Sequence, residues 1–304
     1  MSKIIVGVDE SQGSSDAIAL ASSLAGITGA ELMLVNVFPY DGRPSRALSA
    51  EFEAYLRNDS HELLEHARTN LDEAVEVRSI ANPSPAHALH ELAEKYDASL
   101  IVVGSTHTGR ARRVLPGSTA ERLLHGSPCP VAVAPKGYTQ RLGDKPGIIG
   151  CGYDGTPSAQ HALRAAHQIA AATEARLRVI RAFKPLAYDT PPGNVAKDGI
   201  AYNDRLAERA SDELDAAVAK TKGEPRAEAF FAVGDPAEIL ARASEQLDLL
   251  LVGSRGYGPL HSVMVGGVAG RLVREAACPV IVLPRSAGHV EEQSLFAEAT
   301  ALRE

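Results

Sequence analysis

Two loops in this chain carry the residue types of an anion site. Val103-Gly104-Ser105-Thr106-His107-Thr108-Gly109 runs on to Gly117-Ser118, and Val252-Gly253-Ser254-Arg255-Gly256-Tyr257-Gly258 runs on to Gly266-Gly267. In each, a glycine closes an apolar run (Leu100 to Val103, Leu249 to Val252), and another glycine thirteen residues later opens a short helical pattern. Glycine lets a ligand come close to the backbone, and the first turn of a helix offers unpaired N–H groups at the positive end of its dipole. A strand-to-helix turn also needs glycine for its own geometry. Binding is favoured by the repetition at one spacing, together with Asp9 and Asp154, which follow the first apolar run of each half.

Other chemistry finds no footing. There is no serine-nucleophile elbow, no His-Glu-x-x-His and no pair of carboxylates spaced for acid–base work. Gly150-x-Gly152-x-x-Gly155 fits the dinucleotide fingerprint, but Arg181-Ala182-Phe183 stands where a ribose-binding carboxylate should close the next strand. The first half offers only Gly7-Val8-Asp9-Glu10-Ser11 at that place. Gly104-x-x-x-x-Gly109 is followed by Arg110-Ala111, not by the Lys-Ser/Thr of a phosphate-binding loop. Cys129, Cys151 and Cys278 have neither Cys-x-x-Cys nor zinc spacing and read as small buried hydrophobes.

Positioning the loops takes strands alternating with helices. Lys3 to Val8, Glu31 to Val37, Val75 to Ile80, Leu100 to Val103 and Val131 to Ala134 read as strands. Between them lie helical patterns through Ala17, Leu20, Ala21 and Leu24, then Leu48 to Leu71, then Leu89, Leu92, Ala93 and Tyr96 after Pro85. The order returns with strands Ile148 to Gly152, Ala175 to Phe183, Ala227 to Val233, Leu249 to Val252 and Val280 to Leu283. Here a loop is expected from Pro185 to Gly199, and one helix from Pro236 to Leu247. The fold class is α/β: two tandem, doubly wound, Rossmann-like domains, each with a five-stranded parallel sheet. The first domain takes residues 1–137, a linker 138–146, the second domain 147–285 and a C-terminal tail 286–304. A chain of 304 residues is long enough for two cores. Its net charge of −7 argues against nucleic acid as a partner. No apolar run approaches the roughly 18 residues of a membrane span, and Met1-Ser2-Lys3 leads straight into a strand, so a cytoplasmic protein without a leader is expected.

In these features the chain resembles the universal stress protein family, in the form with two domains in tandem, over about residues 3–135 and 147–284. The resemblance rests on the loop pattern Gly-x2-Gly-x9-Gly-[Ser/Thr], the aspartate after the first strand, and Cys-Pro-Val before the last one (Cys129-Pro130-Val131, Cys278-Pro279-Val280). It implies ATP as the ligand, with magnesium. Adenine would meet Asp9 and Val37 in the first domain, and Asp154 and Ala182 in the second. Ribose would lie near Val103 and Val252. The phosphates would rest on Gly104, His107, Gly117, Ser118 and Thr119, and on Gly253, Gly256, Gly266, Gly267 and Val268. Asp9 and Asp154 would meet magnesium only through the bound nucleotide.

Both copies depart from the family pattern, with His107 in place of the second glycine and Gly267 in place of Ser/Thr, so unequal sites are expected, the second tighter. Ser118-Thr119-Ala120-Glu121 also reads as a capping box, which gives Ser118 a structural role. The function implied is that of a stress-response regulator or nucleotide sensor, not an enzyme, acting on an unknown regulatory protein partner. Two alternatives stay open: an interaction scaffold that binds no nucleotide, and a slow ATPase or self-phosphorylating protein. Val131–Ala134 and Val280–Leu283 end their sheets as apolar edges, so the domains are expected to pair through them about a pseudo-twofold axis, and a homodimer is compatible with this.

Overall fold

Each central strand is made by four or five consecutive apolar residues between glycine, proline or polar stops, the signature of strands buried on both faces. In the computed structural model, residues 2–40, 50–69, 71, 75–105, 118–141, 145–186, 194–254 and 267–284 are described. The first domain runs β1 (Lys3–Gly7), α1 (Gln12–Thr28), β2 (Glu31–Phe38), α2 (Ala50–Arg68), β3 (Glu76–Ala81), α3 (Pro85–Lys95), β4 (Leu100–Gly104), α4 (Ser118–Leu124) and β5 (Val131–Ala134). The second runs β6 (Ile148–Gly152), α5 (Pro157–Thr173), β7 (Arg176–Phe183), α6 (Asn194–Lys220), β8 (Ala227–Val233), α7 (Pro236–Ala243), β9 (Leu249–Gly253), α8 (Val268–Glu275) and β10 (Val280–Leu283).

All ten strands join one sheet in the order β3-β2-β1-β4-β5-β10-β9-β6-β7-β8. Every neighbouring pair is parallel except β5 with β10, which are antiparallel, Val133 opposite Val280 and Ala132 opposite Ile281. The expected adjacency of these two strands is therefore present, and it turns two five-stranded sheets into one. Within each half the chain winds outward in both directions, so strand order reverses beside β1 and β6.

The core lies in two slabs, one on each face. One packs Leu20 of α1, Leu64 of α2, Ile169 of α5 and Leu214 of α6 against Ala132 and Ile281. The other packs Leu89 of α3, Leu123 of α4, Leu240 of α7 and Leu272 of α8 against Val133 and Val280. Both slabs run unbroken through the seam. On the α4/α8 face the seam is also crossed by an ion pair, Arg274 Nε to Glu121 Oε1 at 3.6 Å. On the opposite face the linker is tied down. Residues Tyr138–Arg141 form a 3-10 turn, and the fully buried carboxylate of Asp16 on α1 accepts bonds from the amides of Gly137 and Thr139, each 2.8 Å, and from the Thr139 hydroxyl.

Three expectations shift in detail. Helix α6 starts at Asn194 inside the expected Pro185–Gly199 loop, and Gly199, expected as the last residue of that loop, is buried within the helix. Helix α7 stops at Ala243, and a 3-10 turn over Ser244–Gln246 leaves Leu247 outside it. The linker expected as plain loop holds the turn just described. The tail 286–304 lies outside the described residues.

The three thiols are free and buried, as their spacing implied. Burial pushes the Cys129 thiol up to about 12 against a weaker opposing bond from Ser127, and burial raises Cys151 as well. Since the thiolate is the reactive form, a disulfide reagent at about pH 8 should leave all three cysteines unmodified in the native protein and titrate all three after unfolding. Rapid labelling of the native chain would contradict this burial.

No described helix is long and apolar enough to cross a membrane.

Candidate functional site

The carboxyl ends of β1, β2 and β4 in one half, and of β6, β7 and β9 in the other, carry most of the described residues chosen from sequence, and the starts of α4 and α8 carry Thr119, Gly267 and Val268. At the end of β1, Asp9 builds a turn: its Oδ1 accepts from the Ser11 amide at 2.9 Å and the Ser14 hydroxyl at 2.7 Å. Asp154 after β6 does the same, accepting from the Thr156 amide at 3.1 Å and its hydroxyl at 2.6 Å. Thr156 in turn caps α5 by accepting from the Ala159 amide at 3.3 Å. One oxygen of each aspartate thus fixes the angle at which the chain leaves the strand for the helix.

That angle explains the loop glycines. A Cβ added to Gly104 would lie 2.7 Å from Gly13 Cα in the first turn of α1 and closer still to the Gly13 carbonyl. A Cβ on Gly253 would lie 2.6 Å from the Ser158 carbonyl carbon and 2.8 Å from the Ala159 nitrogen of α5. Helix α1 and helix α5 therefore rest on backbone at the ends of β4 and β9, and only glycine fits there, with or without a ligand. Gly267, the N-cap of α8, differs: its φ is −65° and nothing lies within 4 Å of a Cβ built on it. The decoy glycines have local causes as well, since Gly150 and Gly152 accommodate Leu247, Leu240 and Val252, and Gly155 has a φ of +84°.

In the second half the structure gathers Asp154, Ala182, Gly267 and Val268 around one cleft of about 490 Å³. The remaining lining is Arg181, Phe183 and Lys184 at the end of β7, Asp235 and Pro236 at the start of α7, and Arg271 one turn into α8. Asp235 is its hub. As the N-cap of α7 it accepts from the amides of Ala237 (3.1 Å) and Glu238 (3.3 Å), and it also meets Lys184 Nζ at 3.3 Å and Arg271 Nη1 at 2.9 Å. Burial pushes the Asp235 carboxyl up, but the Glu238 amide, Lys184, Arg271 and the Ala237 amide together outweigh it and hold the group below the usual carboxylate range. Arg181 pairs with Glu213 of α6 at 3.0 Å, and its Nη1 is buried without a hydrogen-bond partner among the described residues.

Val252 and Val103 are core residues, 4% and 5% exposed, so they present backbone at the strand ends. In the first half Asp9, Val37, Val103 and Gly104 sit at adjacent strand ends, and Thr119 lies in the first turn of α4. His107, Gly117, Gly256 and Gly266 lie outside the described residues, as does the side chain of Ser118. Sequence reasoning missed Lys184, Asp235 and Arg271 altogether and read Arg181 only as the lack of a carboxylate. A usable signal was Asp235-Pro236, an N-cap followed by proline at the first helical position.

Comparison with known proteins agrees with this architecture. The sequence profile of the Universal stress protein family matches residues 1–135 and again 147–284. A universal stress protein of Mycobacterium tuberculosis is 28% identical over 244 residues, covering 78% of this chain and 78% of its own. One of Mycolicibacterium smegmatis is 27% identical over 298 residues, covering 92% of this chain and 96% of its own. The crystal structure of a universal stress protein from Archaeoglobus fulgidus superposes with a TM-score of 0.62 at 18% identity, over 93% of this chain and 96% of that one, a likeness of fold. With the family pattern met twice along a single ten-stranded sheet, the chain belongs to the universal stress protein family, as a member with two domains in tandem.

Proposed function

We propose that this protein binds ATP as a ligand at the strand ends of its domains and reports nucleotide occupancy to a protein partner in a stress response. The observation that carries this reading is the second-half cleft. It joins four residues selected from sequence to the amino ends of α7 and α8 and to three cationic side chains, a combination suited to a nucleotide's phosphates. Among the described residues no three His, Cys, Asp or Glu side chains come together as metal ligands. Magnesium would accordingly arrive with the phosphates, with Asp9 or Asp154 as its one protein carboxylate. Turnover needs a positioned base, and Asp235, held below the usual carboxylate range by its donors, is a poor one.

A second reading has an observation of its own. Gly104, Gly253, Asp9 and Asp154 all have structural work that needs no ligand, so a scaffold of the same fold could keep them. One experiment separates the readings: denature the purified full-length protein, identify released nucleotide, titrate ATP into the stripped chain and follow phosphate release. Released or rebound intact ATP is the expected result. No binding would leave the scaffold, and steady phosphate release well above about one per minute would make it an enzyme.

A further inference from the structure

The two halves differ in charge where their strand ends correspond. Gly7 lies opposite Val35 as Gly152 lies opposite Ile180, so Asn36 matches Arg181 and Pro39 matches Lys184. The bonds Asn82 N to Phe38 O and Gly234 N to Phe183 O fix the same correspondence. Ser84 precedes Pro85 of α3 as Asp235 precedes Pro236 of α7, and Arg122 matches Arg271 when Cys129 is laid on Cys278. Of the three cations that line the second cleft, the first half keeps one.

We infer that the second half discriminates nucleotides by phosphate charge more strongly than the first, with Lys184, whose place Pro39 takes in the first half, and Arg271, whose counterpart is Arg122, as the specificity-determining residues and Asp235 as the group that parks them. The inference rests on the nucleotide reading above and deepens it. Arg181 is committed to Glu213, and its side chain is only 14% exposed. Lys184 and Arg271 are 68% and 38% exposed and share the Asp235 carboxylate, and Arg271 Nη2 also lies 3.8 Å from Glu238 Oε1. Asp235 keeps two backbone amides whatever the cations do, so either cation can swing to a phosphate without leaving that carboxylate bare. A triphosphate offers more acceptors within reach of these two side chains than a monophosphate does, and a charge-assisted bond is gained with each. In the first half Asn36 spends its amide on the Val8 carbonyl at 2.7 Å, and Pro39 carries no charge.

The test uses the full chain with azido-ATP and azido-AMP as photolabels, labelled peptides being mapped to each half. Second-half peptides should show the higher ATP-to-AMP labelling ratio, and inorganic triphosphate should displace their label at lower concentration than it displaces label from first-half peptides. Lys184→Gln and Arg271→Gln should each lower ATP labelling of the second half about tenfold, near the weak end for charge-assisted bonds because both groups are partly solvated. AMP labelling of the second half should fall by a smaller factor than ATP labelling, and all labelling of the first half should stay unchanged, which also reports that the variants are folded. An ATP-to-AMP ratio equal in the two halves, or one that ignores both substitutions, overturns the inference while leaving nucleotide binding intact. Absence of specific labelling by either probe in either half overturns both.

Discussion

Alanine at Gly104 or at Gly253 should destabilise the protein by about 3 kcal/mol or more, at the upper end of overpacking costs. The clashing atoms belong to backbone in the first turns of α1 and α5, and neither can rotate out of the way. Relief would require a helix to lift off its strand, unpacking Leu20 and Leu24 in one half or Ile169 in the other. Gly267→Ala is the control. With a φ of −65° and open space around the added methyl, it should change stability by no more than about 0.5 kcal/mol. Urea unfolding of the three variants decides the matter, and a Gly104→Ala protein as stable as its parent would show that α1 has room to retreat.

Cutting the chain at the linker should produce self-association. Residues 1–140 retain β5, whose four residues are at most 1% exposed in the whole protein and would lose β10 as their neighbour. An apolar strand edge of that kind recruits another strand, and the self-complementary solution is a β5–β5 pair that repeats the antiparallel seam. Sedimentation of the fragment should give a dimer. A stable monomer at high concentration would mean that the first half can cover its own edge. The intact chain, whose two core slabs pass through the seam, should unfold in one transition, since neither half can open without exposing its share of both.

The strands were legible because local signals and global burial agree there. Ile148-Ile149-Gly150-Cys151-Gly152 is a buried run between Pro146 and Asp154, and nothing in the sequence competes with that reading. Helix ends were less legible. Gly199 reads as loop, yet it is buried within α6, and the weak penalty of one glycine in a helix is easily overcome. The Asp16 clamp on the linker was out of reach, since its partners are more than a hundred residues away in sequence and a lone aspartate on a helix ordinarily faces water. The cleft was half legible. Asp154 stood out by repetition, and Ala182, Gly267 and Val268 through the family resemblance. Lys184 and Asp235 did not, because they are residues in which the second half departs from the first (Pro39 and Ser84 stand in their places), and Arg271, though matched by Arg122, lies on a helix face with no motif to mark it.

The lone antiparallel pair in an otherwise parallel sheet has a geometric consequence. Because β5 and β10 run in opposite directions, every strand of one half points against every strand of the other. The strand ends bearing Asp9 and Val37 therefore face one edge of the molecule, and the cleft bearing Asp154 and Asp235 faces the opposite edge. The molecule is two-sided: the two sets of strand ends open on opposite long edges of the ten-stranded sheet. A surface laid on one edge would leave the other edge uncovered, and molecules held at the two sets of strand ends would be kept apart by the sheet. What lies midway between them is the seam, where α4 and α8 face each other and Glu121 meets Arg274.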